Sequence, residues 1–344
     1  EKDIPSIQKS ILSGALTYEK LTLFYLYRIK KIEFNKDTYL NSIISLNHNI
    51  VIEAREKDKK KPNSIYSLYG IPILLKDNIN FYGLPTTAGS VLLKDNISED
   101  SYVVKKLKES GAIVLGKTNL SEWAYYFCAG CPLGYSAIGG QTLNPYGRKI
   151  FESGGSSSGS GAAISANLSS VALGSETSGS ILSPSSLNSI VGLKPTIGLV
   201  SRTGIVPISS TLDTSGPMTK NVIDNVIVFN SIMGFDKEDN FSKKKIEIDF
   251  DNITSASLSG VRLGVFKGLL SEPLYKNAIQ DILNAGGIII EFDPPEINFS
   301  GFRKILDFDM KKELPEYLLK YSKNNLNIET ISDILSFNSK DSLK

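Results

Sequence analysis

The sequence contains very little histidine: His48 is the one histidine among 344 residues. A Ser-His-Asp or Cys-His site needs an imidazole base, and a zinc hydrolase normally uses two or three histidine ligands. His48 lies in the stretch SIISLNHNIVIEA, where apolar residues recur at helical spacing, and we expect it to be structural. If the protein is a hydrolase, its base is therefore expected to be another type of residue.

Cysteine is almost as scarce. Two cysteines, Cys128 and Cys131, stand in a C-x-x-C spacing, which occurs in redox pairs and in one half of some zinc sites. A zinc site would need two further ligands, and the strand and helix that flank a thioredoxin-like motif are missing. We interpret the pair as two thiols in a loop, and their spacing does not identify the compartment.

Neither sign of charge dominates, since 38 basic and 36 acidic residues leave a formal net charge of +2. We interpret the short basic runs, Lys57–Lys61 and Lys243–Lys245, as solvated surface, so no nucleic-acid partner is expected. No apolar run approaches the roughly 18–20 residues of a membrane span, and no signal peptide is evident at the start. We expect no membrane association and a cytoplasmic location, although the first residue, Glu1, leaves export open.

The first sixty residues are predicted to be helical, because apolar residues recur at spacings of three and four. Thr17 is a plausible N-cap for the second helix, and Pro62 ends the region. The three predicted helices are Ser6–Leu12, Thr17–Ile32 and Thr38–Lys57.

Further along the chain, short apolar runs alternate with amphipathic stretches. The runs Ile71–Leu75 and Ala112–Leu115 are typical of buried strands, and Ser101–Ser110 between them is predicted to be a helix. This order indicates a βαβ unit and a partly parallel sheet. Later elements are predicted at Ala162–Asn167 (helix), Val171–Leu173 (strand), Val261–Phe266 (strand), Leu270–Ala285 (helix), Gly287–Phe292 (strand) and from Phe302 onward (polar helix).

Two segments are rich in glycine and serine, Ser153–Gly161 and Gly174–Ser180. Taken alone, the first is most simply a flexible linker. It is followed at once by an apolar helical run and a strand, however, and not by a new domain. The second segment has the order strand, tight turn, serine, which can present the hydroxyl of Ser180 beside several backbone N–H groups.

Lys76 immediately follows the apolar run IPILL. Desolvation lowers the pKa of a lysine, and a neutral lysine is a competent general base. The alternative is a lysine at the end of a strand whose ammonium group reaches solvent, which is the commoner case for a lysine considered alone.

Four motifs, in the order GIPILLKDNI, GGSSSGSGAA, LGSETSGSI and VGLKPT, resemble those of the amidase signature family. The resemblance extends over roughly residues 4–320, and the spacing of 24 between Ser156 and Ser180 is also similar to the family's. The stretch GLKPTIGLVSRTGIVPISSTLDTSGPM looks most like the bacterial amidase and peptide-amidase branch. It looks less like the glutaminase-type (A) component of the tRNA-dependent amidotransferases.

The resemblance implies a Ser-Ser-Lys triad without metal or cofactor. Lys76 would be the base, Ser156 the relay after a cis peptide bond, and Ser180 the nucleophile that forms an acyl-enzyme. A serine hydroxyl needs a base within hydrogen-bond reach, and a relay hydroxyl extends the reach of lysine. The implied oxyanion hole consists of the backbone N–H groups of Thr177, Ser178, Gly179 and Ser180.

The sequence departs from the family pattern next to this site. Leu182 stands where the family usually has arginine, Glu176 replaces the usual aspartate of the turn, and Ser178 replaces aspartate or glycine. We expect these changes to affect substrate preference more than the chemistry. Family members usually continue for about another hundred residues beyond a segment like Phe308–Leu318, so we expect either a fragment or a protein that lacks part of the pocket wall.

The expected fold is α/β, an amidase-signature fold with a central twisted mixed β-sheet flanked by helices on both faces. We predict a single domain, residues 1–344, in which 1–62 is an N-terminal helical segment, 63–220 the catalytic core and 221–344 the remainder. Within it, 236–251 is a candidate surface excursion.

The predicted function is hydrolysis of a carboxamide to carboxylate and ammonia. The substrate would be a small-molecule or peptide amide, and the resemblance favours peptide C-terminal amides. A homodimer is one possible assembly. The alternatives are the glutaminase-type component of a tRNA-dependent amidotransferase and a catalytically impaired, truncated member of the family.

Overall fold

The computed structural model describes residues 2–128, 130–253, 257–322 and 328–340. Contacts between Cα atoms divide the chain into two compact units, Glu1–Glu247 with Ile305–Lys344, and Ile248–Lys304. The two units are described separately, and the number of domains stays a prediction.

The first unit is built on a six-stranded mixed sheet with the strand order β1-β3-β2-β6-β8-β7. Strands β3, β2 and β6 run parallel to one another, and the remaining pairings are antiparallel. This confirms the predicted mixed α/β sheet. The strands are β1 (Ile43–Leu46), β2 (Pro72–Lys76), β3 (Ile113–Thr118), β6 (Val171–Glu176), β7 (Val191–Gly192) and β8 (Thr214–Thr219), with a separate two-stranded sheet of β4 (Tyr135–Ser136) and β5 (Gly140–Gln141).

The parallel strands lie in the core. Every residue of β2, β3 and β6 is buried, as expected for strands that are covered on both faces. Helix α4 (Tyr102–Glu109) connects β2 to β3, with the Ser101 hydroxyl accepting the N–H of Val104 as its N-cap. The predicted βαβ unit is therefore confirmed.

The N-terminal segment is helical in part. Helices α1 (Ile4–Leu12) and α2 (Tyr18–Glu33) agree with the prediction, and Thr17 caps α2 by accepting the N–H of Lys20. The predicted helix Thr38–Lys57 is wrong, because this stretch contains β1 and the shorter helix α3 (Ile50–Asp58).

The reason for this error is a long-range pairing. The apolar residues of β1 fit either period, and hydrogen bonding to β3, with Ile43 opposite Thr118 and Leu46 opposite Gly116, decides in favour of a strand. His48 consequently lies in an exposed turn between β1 and α3, and not in a helix.

The other helices of the first unit lie between the strands or after them in sequence, and some of them contribute to an apolar cluster. Helix α10 packs its Met310, Leu314 and Leu318 against Leu93 and Trp123 in this cluster. The helices are α5 (Ser158–Ser165), α6 (Leu182–Leu187), α7 (Val222–Ile232), α10 (Phe302–Tyr321, counted in this unit from Ile305) and α11 (Ile331–Ser339), with short 3-10 helices at Val91–Leu93 and Glu122–Tyr125.

The second unit contains two parallel strands and the helix that joins them. Strand β9 (Arg262–Phe266) pairs with β10 (Ile288–Phe292), and α9 (Pro273–Asn284) lies between them in sequence. The predicted order of strand, helix and strand is confirmed. The unit also contains helix α8 (Phe250–Ile253) and a 3-10 helix at Lys267–Leu269.

Candidate active site

The candidate site lies at one edge of the central sheet. Strands β2 and β6 are parallel neighbours, so their carboxyl ends meet at the same edge, which is where α/β sheets commonly bind ligands. Lys76 is the last residue of β2, and Thr177–Ser180 directly follow β6. The topology therefore brings the lysine and the serine turn of the sequence motifs to one place.

Lys76 is completely buried. Its Nζ lies 2.7 Å from the Oγ of Ser156, 3.0 Å from the Oγ of Ser175 and 3.2 Å from the Ser175 carbonyl oxygen. These partners are two hydroxyls and a carbonyl, and none of them carries a charge. The alternative, a lysine at the end of a strand whose ammonium group reaches solvent, is therefore excluded.

Burial lowers the pKa of Lys76 to about 7, although the negative charges of Asp213 and Glu176 act in the opposite direction. A large fraction of the lysine is then a neutral amine at neutral pH. A neutral amine has two hydrogens and one lone pair. The Ser175 carbonyl can only accept a hydrogen, whereas the Ser156 hydroxyl can donate its proton to the lone pair.

The segment Ser153–Gly161 is not a flexible linker, because all nine of its residues are buried. The Ser153 carbonyl accepts the Asn188 Nδ2 hydrogen at 2.8 Å, and the Ser158 hydroxyl donates to the Gly154 carbonyl at 2.6 Å. The peptide bond between Gly155 and Ser156 is cis, as the family resemblance implied. The Ser156 carbonyl accepts the N–H of Ser121 at 3.0 Å.

Ser180 lies beside this segment, since its carbonyl accepts the N–H of Ser157 at 3.1 Å. The structure thus brings Lys76 and Ser156 into direct contact and places Ser180 next to them through the backbone. No hydrogen bond joins the Ser180 and Ser156 hydroxyls among the described residues.

The turn before Ser180 has free backbone donors. Within the described chain, the N–H groups of Thr177, Ser178, Gly179 and Ser180 form no hydrogen bond to another residue. Gly179 adopts a φ of +84°, and a Cβ atom built on it would meet open space. The turn therefore needs glycine at this position for its backbone conformation and not for packing.

Two carboxylates hold this turn in place. Glu176 Oε2 accepts the N–H groups of Ile181 and Leu182, at 2.7 and 2.9 Å. Asp213 accepts the Thr177 hydroxyl at 2.5 Å through Oδ1 and the N–H groups of Ile208 and Ser209 through Oδ2. Sequence reasoning missed Asp213, which is part of the motif-like stretch STLDTSGPM.

Sequence reasoning also missed Ser175 and Asn78. Both stand inside matched motifs, LGSETSGSI and GIPILLKDNI, which was the available signal. Asn78 Nδ2 donates to the Ser175 Oγ at 2.8 Å, so the two residues extend the hydrogen-bond network around Lys76.

A cavity of about 320 Å³ adjoins the serine turn. Its lining includes Asn78, Ser175, Glu176 and Thr177, together with apolar, aromatic and charged side chains. Arg202 pairs with Asp239 there through its Nε at 3.0 Å. The other lining residues include Ala124, Ile205, Val206, Ile208, Phe241, Glu313, Tyr317, Lys320 and Tyr321.

Cys128 and Cys131 form a disulfide, which corrects their interpretation as two thiols in a loop. The two Cα atoms are 5.7 Å apart, which lies within the usual range for a disulfide.

Among the described residues, no three His, Cys, Asp or Glu side chains are grouped as a metal ion would require. No helix in the described ranges is both long and apolar enough to cross a membrane.

Comparisons with known proteins identify the family of the chain. The Amidase family model matches residues 20–342. A probable amidase of Arabidopsis thaliana is 37% identical over 98% of this chain and 68% of its own length. The A component of the glutamyl-tRNA(Gln) amidotransferase of Thermoanaerobacter pseudethanolicus is 38% identical over 82% of this chain and 58% of its own length.

Among solved structures, the native peptide amidase from Stenotrophomonas maltophilia matches with a TM-score of 0.91 at 37% identity. The match covers 99% of this chain and 72% of that one. The present chain therefore spans only part of the length of each of these proteins.

Proposed function

Because the chain belongs to the amidase family, we propose that it hydrolyses a carboxamide to a carboxylate and ammonia through an acyl-serine. The observation that carries this proposal is the contact of a fully buried Lys76 with Ser156 at 2.7 Å. A buried amine with uncharged partners has the lowered pKa that a general base requires at neutral pH.

In the proposed reaction, the Ser180 Oγ bonds to the amide carbon while its proton passes to Ser156, and the proton of Ser156 passes to Lys76. As the tetrahedral intermediate collapses, Ser156 protonates the nitrogen while the C–N bond breaks, and Ser156 recovers a proton from the Lys76 ammonium group. Ammonia leaves, and an ester of Ser180 remains.

Water then attacks the ester carbonyl carbon, and its proton returns to the Ser180 Oγ through the same groups. The carboxylic acid product leaves, and the free enzyme is restored. In both halves of the reaction, the carbonyl oxygen carries negative charge in the tetrahedral intermediate. The free N–H groups of the turn Thr177–Ser180 are proposed to bind it, a contribution that elsewhere is worth roughly 3–4 kcal/mol per donor.

The proposed substrates are peptide C-terminal amides. Similarity to the peptide amidase from Stenotrophomonas maltophilia supports this choice. The cavity beside the serine turn also supports it, because its lining includes apolar and aromatic side chains, such as Ile208 and Tyr317, which suit contact with a peptide side chain.

The experiment is to measure ammonia release from amidated peptides, simple aliphatic and aromatic amides, and glutamine. Ser180→Ala is the inactive variant, and Ser178→Ala, which removes a hydroxyl from the same turn but keeps the backbone N–H of the proposed oxyanion hole, is the matched control. We expect release from amidated peptides by the wild-type protein and not by Ser180→Ala. Release from simple amides alone would keep the chemistry and reject the peptide preference.

The second candidate is the glutaminase-type component of a tRNA-dependent amidotransferase. The 38% identity to the Thermoanaerobacter protein supports it, although that match covers less of this chain than the match to the Arabidopsis amidase does. Ammonia release from glutamine alone would favour this candidate. No release from any amide by folded protein would favour a catalytically impaired member of the family.

A further inference from the structure

Asn78 occupies a position between the proposed base and the cavity. It stands two residues after Lys76, its side chain is buried with 3% exposure, and it lines the cavity. Its Nδ2 donates to the Ser175 Oγ at 2.8 Å, and that same oxygen lies 3.0 Å from the Lys76 Nζ. One end of the amide group is therefore tied to the network around Lys76.

The other end has no partner. The Asn78 Oδ1 is buried and accepts no hydrogen bond from any residue that the structure describes. A buried acceptor without a donor is costly, and native proteins satisfy most such atoms. Since the side chain forms part of the cavity wall, a ligand in the cavity can supply the missing donor.

The chemistry of this acceptor restricts the ligand. A carbonyl oxygen accepts a hydrogen and cannot donate one, so it selects an N–H or O–H group. A primary carboxamide carries two N–H hydrogens on the nitrogen that leaves as ammonia. That nitrogen also receives its proton from Ser156, which shares Lys76 with the Ser175 that Asn78 contacts.

We propose that the Asn78 Oδ1 accepts an N–H of the substrate's leaving amide nitrogen and thereby helps to bind and orient it. The inference rests on the proposed amidase function and adds a substrate-binding residue to it. The contact holds the nitrogen while the C–N bond breaks, and it favours amides that carry an N–H over esters with the same acyl group.

The test compares two reactions of Ser180 in the variant Asn78→Leu, which keeps the size of the side chain and removes both polar atoms. One is the kcat/KM for ammonia release from an amidated peptide. The other is the rate of covalent labelling by a fluorophosphonate, whose leaving group has no N–H. We expect the kcat/KM to fall 10- to 100-fold more than the labelling rate does.

Ser175→Ala is the matched control, because it removes the hydroxyl that Asn78 and Lys76 share. It should lower amide turnover and labelling by similar factors, as a change that acts through the base would. If Asn78→Leu also lowers both reactions equally, or lowers neither, the inference is overturned. Absence of ammonia release by the wild-type protein would instead overturn the proposed function, and the inference with it.

Asn78→Asp keeps the inference testable if Asn78→Leu does not fold. This variant retains an acceptor oxygen, so the ratio of amide turnover to labelling rate should stay within about threefold of the wild-type ratio. The ratio cancels any effect of the new charge on Lys76, because both reactions depend on that base. A fall of more than tenfold in the ratio would contradict the role of Asn78 as an acceptor.

Discussion

Lys76 and Lys117 are two fully buried lysines on neighbouring parallel strands, and their surroundings differ. In the register of β2 and β3, Leu75 is opposite Lys117 and Lys76 is opposite Thr118. Both side chains have no exposed surface. Burial lowers the pKa of both ammonium groups, since it disfavours the charged form.

The two lysines differ in the groups that contact their Nζ atoms. The Lys117 Nζ lies 3.0 Å from the Asp77 Oδ1 and 3.0 Å from the Thr86 Oγ1, so a carboxylate opposes the effect of burial directly. Lys76 has uncharged partners, and the carboxylates of Asp213 and Glu176 act on it without a hydrogen bond. Burial disfavours the charged form of both lysines. The neighbouring groups then determine whether the lysine forms an ion pair or can act as a base.

The largest effect is expected for Lys76→Met, which replaces the amine by an apolar chain of similar length. Amide turnover should fall by at least about 1,000-fold, because members of a catalytic unit cannot substitute for one another. The measurement is kcat/KM with an amidated peptide. Retention of more than a tenth of the activity would show that Lys76 is not the base.

Lys117→Met should act mainly on stability. It leaves the Asp77 carboxylate buried without its cation, which costs about 3–5 kcal/mol in other proteins. Urea unfolding of the two lysine variants measures the difference. The comparison fails if Lys76→Met lowers the free energy of unfolding as much as Lys117→Met does.

Adding Asp77→Asn to Lys117→Met should recover part of the lost stability, because the uncompensated charge is removed. We expect a gain of about 1–3 kcal/mol over Lys117→Met alone. Asp77→Asn by itself is the control that completes the cycle. If the double variant is less stable than Lys117→Met, the two side chains are not coupled as an ion pair.

The smallest effect concerns pH. The wild-type rate should rise as pH increases through about 7, because the amine of Lys76 must lose its proton to act as a base. The charge of Asp213 raises the pKa of Lys76, so Asp213→Asn should move the midpoint of the profile to lower pH. Asparagine has one acceptor oxygen, so it can accept either the Thr177 hydroxyl or the N–H groups of Ile208 and Ser209, and not both sets. A midpoint that moves upward would contradict the assignment of the ionisation to Lys76.

The local parts of the fold could be predicted from the sequence, and the pairings between distant segments could not. The apolar runs that became β2 and β3 carry a strong local signal, and the motifs placed Lys76 and Ser156 together across 80 residues. The strand β1 was missed because its apolar residues fit a helix equally well, and only β3 distinguishes the two.

The supporting residues of the site were missed for the same physical reason. Asp213 accepts a hydrogen bond from Thr177, which lies 36 residues earlier in the chain, and the local sequence around either residue does not predict this contact. The Oδ1 of Asn78 is left without a donor among the described residues because the neighbouring Ser175 hydroxyl contacts the Nδ2 of the same amide group. Such features are set by packing, so a motif can identify the residue without giving its role.

The central claim is that a neutral Lys76 activates Ser180 through Ser156. The most direct test is the rate of fluorophosphonate labelling between about pH 5 and 9, with the modified residue identified by peptide mapping. The account predicts a label on Ser180 and a rate that rises through a single ionisation near pH 7. A rate independent of pH across this range, or a label on a different serine, would contradict it.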